Sequence, residues 1–290
     1  MISANNSSYR GRIAPSPTGY LHVGHAKTFW MAQERARAAK GVLVLRNEDM
    51  DRARSKPEFV DAMVEDLRWF GFEWQEGPDV GGPFAPYNQS ERYSRYRETV
   101  VALKRSGFIY PCVCSRKDLQ AAARAPHAED DEEPIHPGTC RGLKLDDIRA
   151  AWKAGGPTSN RKFCWRFHVL DGESVCFVDG HFGPQLFIAG RDFGDFVVWR
   201  SDDVPAYQLA CVTDDAAMGI TEVVRGADLL VSTARQLLLY RALRWAAPSF
   251  YHCPLVTDAS GIRLAKRHEA LSLRQLRASG KTPEAIRSSW

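Results

Sequence analysis

At 290 residues, with 44% hydrophobic and 26% charged residues, the chain can bury one large core or two modest ones and has an ordinary globular make-up. Its net charge of +4 permits a nucleic-acid partner without requiring one, and no apolar run approaches the ~20 residues of a membrane-spanning helix. Seven cysteines is an odd number and the polar start lacks the apolar stretch of an export signal. Reduced thiols in a cytoplasmic protein are therefore expected, and a monomer away from membranes.

In chain order, residues 1–10 read as a loose tail and residues 11–14 as a short extended segment. A turn rich in proline and glycine follows (Pro15, Pro17, Gly19). Ala26, Phe29, Trp30, Gln33 and Arg37 recur at helical spacing, which predicts a helix over 24–40 that Gly41 stops. Residues 42–45 are wholly apolar, as in a buried parallel strand. Pro57 opens a second helix with Phe59, Met63, Leu67 and Phe70 on one face and Gly71 at its end. A long helix over 91–106 leads to a cysteine-containing loop and an acid-rich stretch, 126–137, whose adjacent carboxylates repel one another. Strand character returns at 163–170 and 175–178. From 196 the alternation resumes, with strands at 196–199, 221–224 and 251–256 and helices at 205–218 and 233–245. This rhythm predicts an α/β fold, a Rossmann-type doubly wound parallel sheet, formed by 11–83 and 186–290 and split by an insertion over 84–185.

The most specific string is Arg12-Ile-Ala-Pro-Ser-Pro-Thr-Gly-Tyr-Leu-His-Val-Gly-His25. A first strand-to-helix turn brings phosphate oxygens to unpaired N–H groups and the helix dipole, and Gly24 lets backbone come close to a ligand. His22 and His25, three apart, can both face one polyphosphate and donate hydrogen bonds as charge builds on phosphorus. A bare pair of this kind would more often cap a helix or bind metal; the full string argues for nucleotide chemistry.

This string resembles the "HIGH" signature of the class I glutamyl- and glutaminyl-tRNA synthetases. The resemblance extends to Arg46-Asn-Glu-Asp-Met-Asp51, Asp192-Phe-Gly-Asp-Phe196, Tyr207-Gln-Leu-Ala-Cys-Val-Thr-Asp-Asp215, Gly219-Ile-Thr-Glu-Val-Val-Arg-Gly-Ala-Asp-Leu-Leu230 and Ser232-Thr233, and so spans about residues 11–270. Arg263-Leu-Ala-Lys-Arg267 resembles the "KMSKS" loop, with Lys266 as the point charge for the triphosphate. Arg263 stands where lysine is usual and keeps the charge, whereas Ala265 lacks the usual serine hydroxyl. The resemblance implies ATP contacts at Pro15, Thr18, Gly24, His25, Arg263 and Lys266, with His22, His25 and Lys266 catalytic. It also implies L-glutamate contacts at Arg12, Ala14, Ser16, Glu48, Tyr207 and Arg225. A glutamate carboxylate taken out of water needs fixed cations, and the two arginines, one at the end of each central strand, suit that need. Asp214 and Asp215 invite a metal reading, but a structural role is at least as good.

Cys112, Cys114, His136 and Cys140 offer three thiolates and an imidazole, a set suited to a structural Zn²⁺, with His127 as a competing fourth ligand. Short relatives within the family, the glutamyl-Q tRNA(Asp) synthetases, resemble this region and commonly carry tyrosine where His136 stands. The chain runs about twenty residues past the second signature, where full glutamyl-tRNA synthetases continue into an anticodon-reading domain. The expectation is therefore activation of glutamate by ATP with Mg²⁺, then transfer to queuosine in the anticodon of tRNA(Asp). A catalytic fragment charging tRNA(Glu) and a non-catalytic tRNA-binding paralogue are the rival readings.

Overall fold

The computed structural model describes residues 8–51, 53–115, 117–119, 135–154, 162–255 and 272–290. The second signature with Arg263, Ala265 and Lys266, the competing ligand His127 and most of the acid-rich stretch lie outside the described residues.

Strand β1 (Arg10–Ile13), helix α1 (Val23–Ala38) and strand β2 (Val42–Leu45) form a βαβ unit with parallel pairing, Arg12 opposite Val44. β2 is apolar throughout because α1 and the rest of the core cover it, and its Leu43, Val44 and Leu45 are buried. Helix α2 (Pro57–Phe70) starts on a proline whose missing N–H costs nothing at the first helical position. It ends at Gly71, whose φ of 94° is the left-handed cap that glycine adopts without strain. Its apolar face joins Ile13, Leu43 and Leu45 in one core cluster. Helix α3 (Tyr93–Arg105) follows a short 3₁₀ turn.

A four-stranded sheet has the order β6–β5–β9–β8, made of β5 (Ser174–Asp179), β6 (Gly183–Ile188), β8 (Glu222–Gly226) and β9 (Ser249–Cys253). β8 and β9 pair parallel, β5 joins β9 parallel at Asp179 and Phe250, and β6 turns back antiparallel on β5. At its other edge Thr221 donates to the carbonyl of Arg10 at 2.9 Å, bringing β1 beside β8. Helices α5 (Tyr207–Ala217) and α6 (Leu230–Leu243) pack together over this region.

The doubly wound reading needs two amendments. First, β7 (Phe196–Trp199) does not enter the parallel sheet. It pairs antiparallel with β4 (Cys164–Phe167), which pairs in turn with β3 (Ile109–Cys112). A four-residue apolar run shows that a strand is buried and says nothing about the direction of its partner. β3 carries Pro111 and lies at the sheet edge, where a missing ladder donor is tolerated. Second, β5, inside the 84–185 range read as an insertion, is hydrogen-bonded to β9, and its hairpin partner β6 runs past the end of that range. The sheets are thus mixed. Helix α4 (Leu145–Lys153) lies in the connecting region, and α7 (Leu273–Ala278) and α8 (Pro283–Arg287) end the chain, with Leu273 and Ile286 in the α1–α2 core.

Candidate active site

A cavity of about 450 Å³ opens between the C-terminal ends of β1, β2 and β8 and the start of α1. Its lining includes Arg12, Ala14, Pro15, Ser16, Thr18, His22, Gly24, His25, Glu48, Tyr207 and Arg225, so every described residue singled out for glutamate or nucleotide contact faces one space. The strand ends supply Arg12 and Arg225, and the first turn of α1 supplies the histidines.

His22 caps α1. Its Nδ1 accepts the Gly24 N–H at 3.1 Å, so the neutral ring carries its proton on Nε2. The His22 and His25 rings stack with centroids 3.8 Å apart. Gly24 suits the cap: a Cβ there would stand 3.0 Å from the His22 ring, which would have to give way. The capping role and a ligand-facing role are thus compatible, since they use different nitrogens of one ring. Leu255 lines the cavity, and Ser272 forms a bridge with His22. The described residues on either side of the second signature therefore both stand at this site.

The two arginines differ in their surroundings. Arg12 Nε donates to Asp215 Oδ1 at 3.3 Å and its Nη1 to the Val224 carbonyl at 3.1 Å. Asp215 also accepts from Arg46 Nη1 at 2.5 Å, and Arg46 Nη2 reaches Glu48 Oε1 at 3.0 Å. Burial opposes ionisation of Asp215, but the Arg46 and Arg12 guanidiniums outweigh it and hold the carboxyl below its ordinary range. Arg12, Arg46, Asp215 and Glu48 form a buried chain of alternating charge.

Arg225 is also buried, at 5% exposure, yet no carboxylate among the described residues pairs with it. Its Nη2 donates to Thr233 Oγ1 at 2.7 Å, Nη1 to Gln236 Oε1 at 2.8 Å and Nε to His252 Nε2 at 3.2 Å. All its direct acceptors are neutral. A buried guanidinium whose direct hydrogen-bond acceptors are neutral can take a carboxylate as its counter-ion.

Sequence reasoning did not assign Arg46, His252, Asp179, Gln236 or the partners of Asp214. Asp214 accepts from Gln89 at 2.8 Å, Arg92 at 2.6 Å and the Tyr96 hydroxyl at 2.8 Å, tying α5 to the 3₁₀ turn and α3. That contact set is structural. The available signal was the presence of charged residues inside otherwise apolar strands and helices, which demands buried partners.

A second cluster lies apart in the chain. One ligand atom from each of Cys112, Cys114, His136 and Cys140 falls within 4.8 Å of the others. Cys114 Sγ is 3.4 Å from Cys140 Sγ, and Cys112 Sγ is 3.3 Å from His136 Nε2. Two sulfurs on tetrahedral zinc, each at ~2.3 Å, would be about 3.8 Å apart, so the donor set fits a closed site after a small adjustment. Behind His136, the Tyr110 hydroxyl donates to Asp195 Oδ2 at 2.5 Å, and Arg141 also holds Asp195.

The model of the family described as tRNA synthetases class I (E and Q), catalytic domain, matches residues 8–289. The chain belongs to this family. Among its relatives, the glutamyl-Q tRNA(Asp) synthetase of Symbiobacterium thermophilum is 50% identical over 95% of the chain and 83% of its own length. The glutamyl-Q tRNA(Asp) synthetase of Nitratidesulfovibrio vulgaris is 48% identical over 93% of the chain and 82% of its own length. The crystal structure of a glutamate-tRNA synthetase from Elizabethkingia anophelis superposes with a TM-score of 0.77 at 28% identity, covering 95% of this chain and 54% of that one. This synthetase-family chain therefore has a class I aminoacyl-tRNA synthetase-like α/β fold with mixed sheets, and spans about half the length of that solved relative. Among the described residues, no helix is long and apolar enough to cross a membrane.

Proposed function

We propose that the protein activates L-glutamate with ATP and transfers the glutamyl group to queuosine in the anticodon of tRNA(Asp). The observation that carries this reading is Arg225, a buried cation whose hydrogen-bond partners among the described residues are all neutral, lining the cavity that also holds the histidines of α1. A substrate carboxylate supplies the missing counter-charge.

In the proposed reaction, Arg225 and Arg12 hold the glutamate side-chain carboxylate, while Glu48 and Ser16 take the ammonium and Tyr207 covers the pocket. The glutamate α-carboxylate attacks the α-phosphorus of ATP, the bond to the bridging oxygen breaks, and pyrophosphate leaves. His22 and His25 donate hydrogen bonds to phosphate oxygens that gain charge, and Lys266 and Arg263 neutralise the triphosphate. Pro15, Thr18 and Gly24 line the nucleotide part of the site. Mg²⁺ accompanying ATP would supply further charge neutralisation. The acceptor hydroxyl then attacks the mixed anhydride and AMP leaves. We assign residues 84–185 chiefly to acceptor binding, with one Zn²⁺ held by Cys112, Cys114, His136 and Cys140 as a structural tie.

The two relatives at 48–50% identity that are glutamyl-Q tRNA(Asp) synthetases support the choice of acceptor. Glutamate-dependent exchange of pyrophosphate into ATP tests activation; absence of exchange with any amino acid would leave the tRNA-binding paralogue. Charging of tRNA(Asp) with and without queuosine, beside tRNA(Glu), tests the acceptor. Label on queuosine-containing tRNA(Asp) alone is expected, and label on tRNA(Glu) would point to the glutamyl-tRNA synthetase reading.

A further inference from the structure

Behind Arg225 stands an array that the reaction scheme does not use. His252 of β9 is fully buried, with its Nε2 facing Arg225 Nε at 3.2 Å and its Nδ1 facing Asp179 Oδ2 at 2.6 Å. Asp179, at the end of β5, is buried as well. Its carboxylate accepts the backbone N–H groups of His181 at 3.0 Å, Phe182 at 2.9 Å and His252 at 3.1 Å. Neither residue lines the cavity.

These partners fix the imidazole. A guanidinium nitrogen can only donate, so Nε2 must carry the lone pair; a carboxylate can only accept, so Nδ1 must carry the proton. The Thr233 hydroxyl, 3.0 Å from Nε2, can donate to the same lone pair. A second proton on the ring would aim an N–H at the Arg225 N–H, and the ring is held neutral by burial and by the adjacent Arg225 cation.

We propose that His252, oriented by Asp179, is a positioning residue for Arg225: a neutral spacer that fixes the guanidinium while keeping the Asp179 charge one ring away. The contrast with Arg12 gives the reason. Arg12 touches Asp215 directly and much of its charge is answered inside the protein. Had Asp179 reached Arg225 in the same way, the cavity would lose the charge a substrate carboxylate needs. The interposed ring passes on orientation without passing on the countercharge. The inference rests on the proposed glutamate site and adds to it the means by which its cation is aimed.

Pyrophosphate exchange with separate titrations of glutamate and ATP tests the array in three variants. H252N keeps a donor toward Asp179 and loses the acceptor for Arg225. H252Q places an amide oxygen near the Nε2 position and restores that acceptor. D179N touches neither Arg225 nor the cavity; with its amide oxygen on the turn N–H groups, its NH₂ faces Nδ1 and drives the ring proton to Nε2, against Arg225. H252N and D179N should raise KM for glutamate roughly 10- to 100-fold, the scale of one hydrogen bond to a charged group, with KM for ATP within about two-fold. H252Q should return KM for glutamate to within about five-fold of the parent.

Circular dichroism identifies the variants that fold, and kinetic constants are compared among those. Unchanged KM for glutamate in H252N and D179N overturns the proposal. So does a parallel rise of both KM values that H252Q fails to relieve, and so does failure of all three variants to fold, since His252 is then only part of the core. Absence of glutamate-dependent exchange in the parent protein is a different result, which counts against the proposed function itself.

Discussion

Two arginines lining one cavity have opposite surroundings, and this sets different expectations for them. Arg12 belongs to a chain of buried ion pairs, whereas Arg225 is held by Thr233, Gln236 and His252. Replacing Arg225 by glutamine removes the cation that a substrate carboxylate would meet. R225Q is expected to raise KM for glutamate at least about 100-fold, on the scale of breaking a buried charge pair, and to leave KM for ATP within a few-fold. Separate substrate titrations of pyrophosphate exchange check this. Protons report on the same neighbourhood. Burial and the Arg225 cation push His252 below its ordinary pKa, so the unfolded chain takes a proton that the folded ring refuses. The contribution is complete above about pH 6.5 and is lost as the pH falls below that value. Asp179 and Asp215, both held low despite burial, lose theirs below about pH 4, where the unfolded carboxyls protonate first. Urea melts between pH 8 and pH 3 should show a decline beginning near pH 6.5 that H252Q diminishes, and a second below pH 4 that persists in that variant through Asp215. At this scale the sequence shows which residue types could serve, because the long string at Arg12–His25 couples a turn to a helix start. It does not show that Arg46 joins Asp215 to Glu48, or that Asp179 stands behind His252, because those partners meet only through folding across 73 to 169 residues.

Most element positions follow from local chemistry. Pro57 and Gly71 bracket α2, and the apolar run of β2 sits under α1, because capping and burial patterns are properties of short stretches. Strand partners are not. Phe196-Val-Val-Trp199 has the same apolar character whether it joins a parallel sheet or lies antiparallel against β4, as it does here. The link between β5 and β9 was likewise invisible, since Asp179 and Phe250 share a single register position. The cluster that β3 delivers is testable at the level of that element. With zinc bound, Cys112 of β3 and Cys114 just beyond it would be joined to His136 and Cys140 across the intervening chain. Zinc content near one per chain is expected, and its removal by a chelator, or the C140S substitution, should lower Tm by about 3 °C or more, as a loss of about 2 kcal/mol does in a chain of this size. Metal analysis alongside calorimetry checks both.

The cavity has two walls that are remote in the chain. One is made of residues between Arg12 and Glu48, and the other of residues between Tyr207 and Leu255. They are joined by the Thr221 and Arg10 backbone contact and by the reach of Arg12 to Val224 and Asp215. No short stretch of the polypeptide carries both walls, so the pocket exists only after this long connection has closed. A protein divided in the region between the walls should therefore yield two pieces that each fail to retain glutamate, with retention returning on mixing. Equilibrium dialysis of labelled glutamate against each piece and against the pair would read this directly, and the concentration needed for recovery would measure how strongly one side of the pocket holds the other.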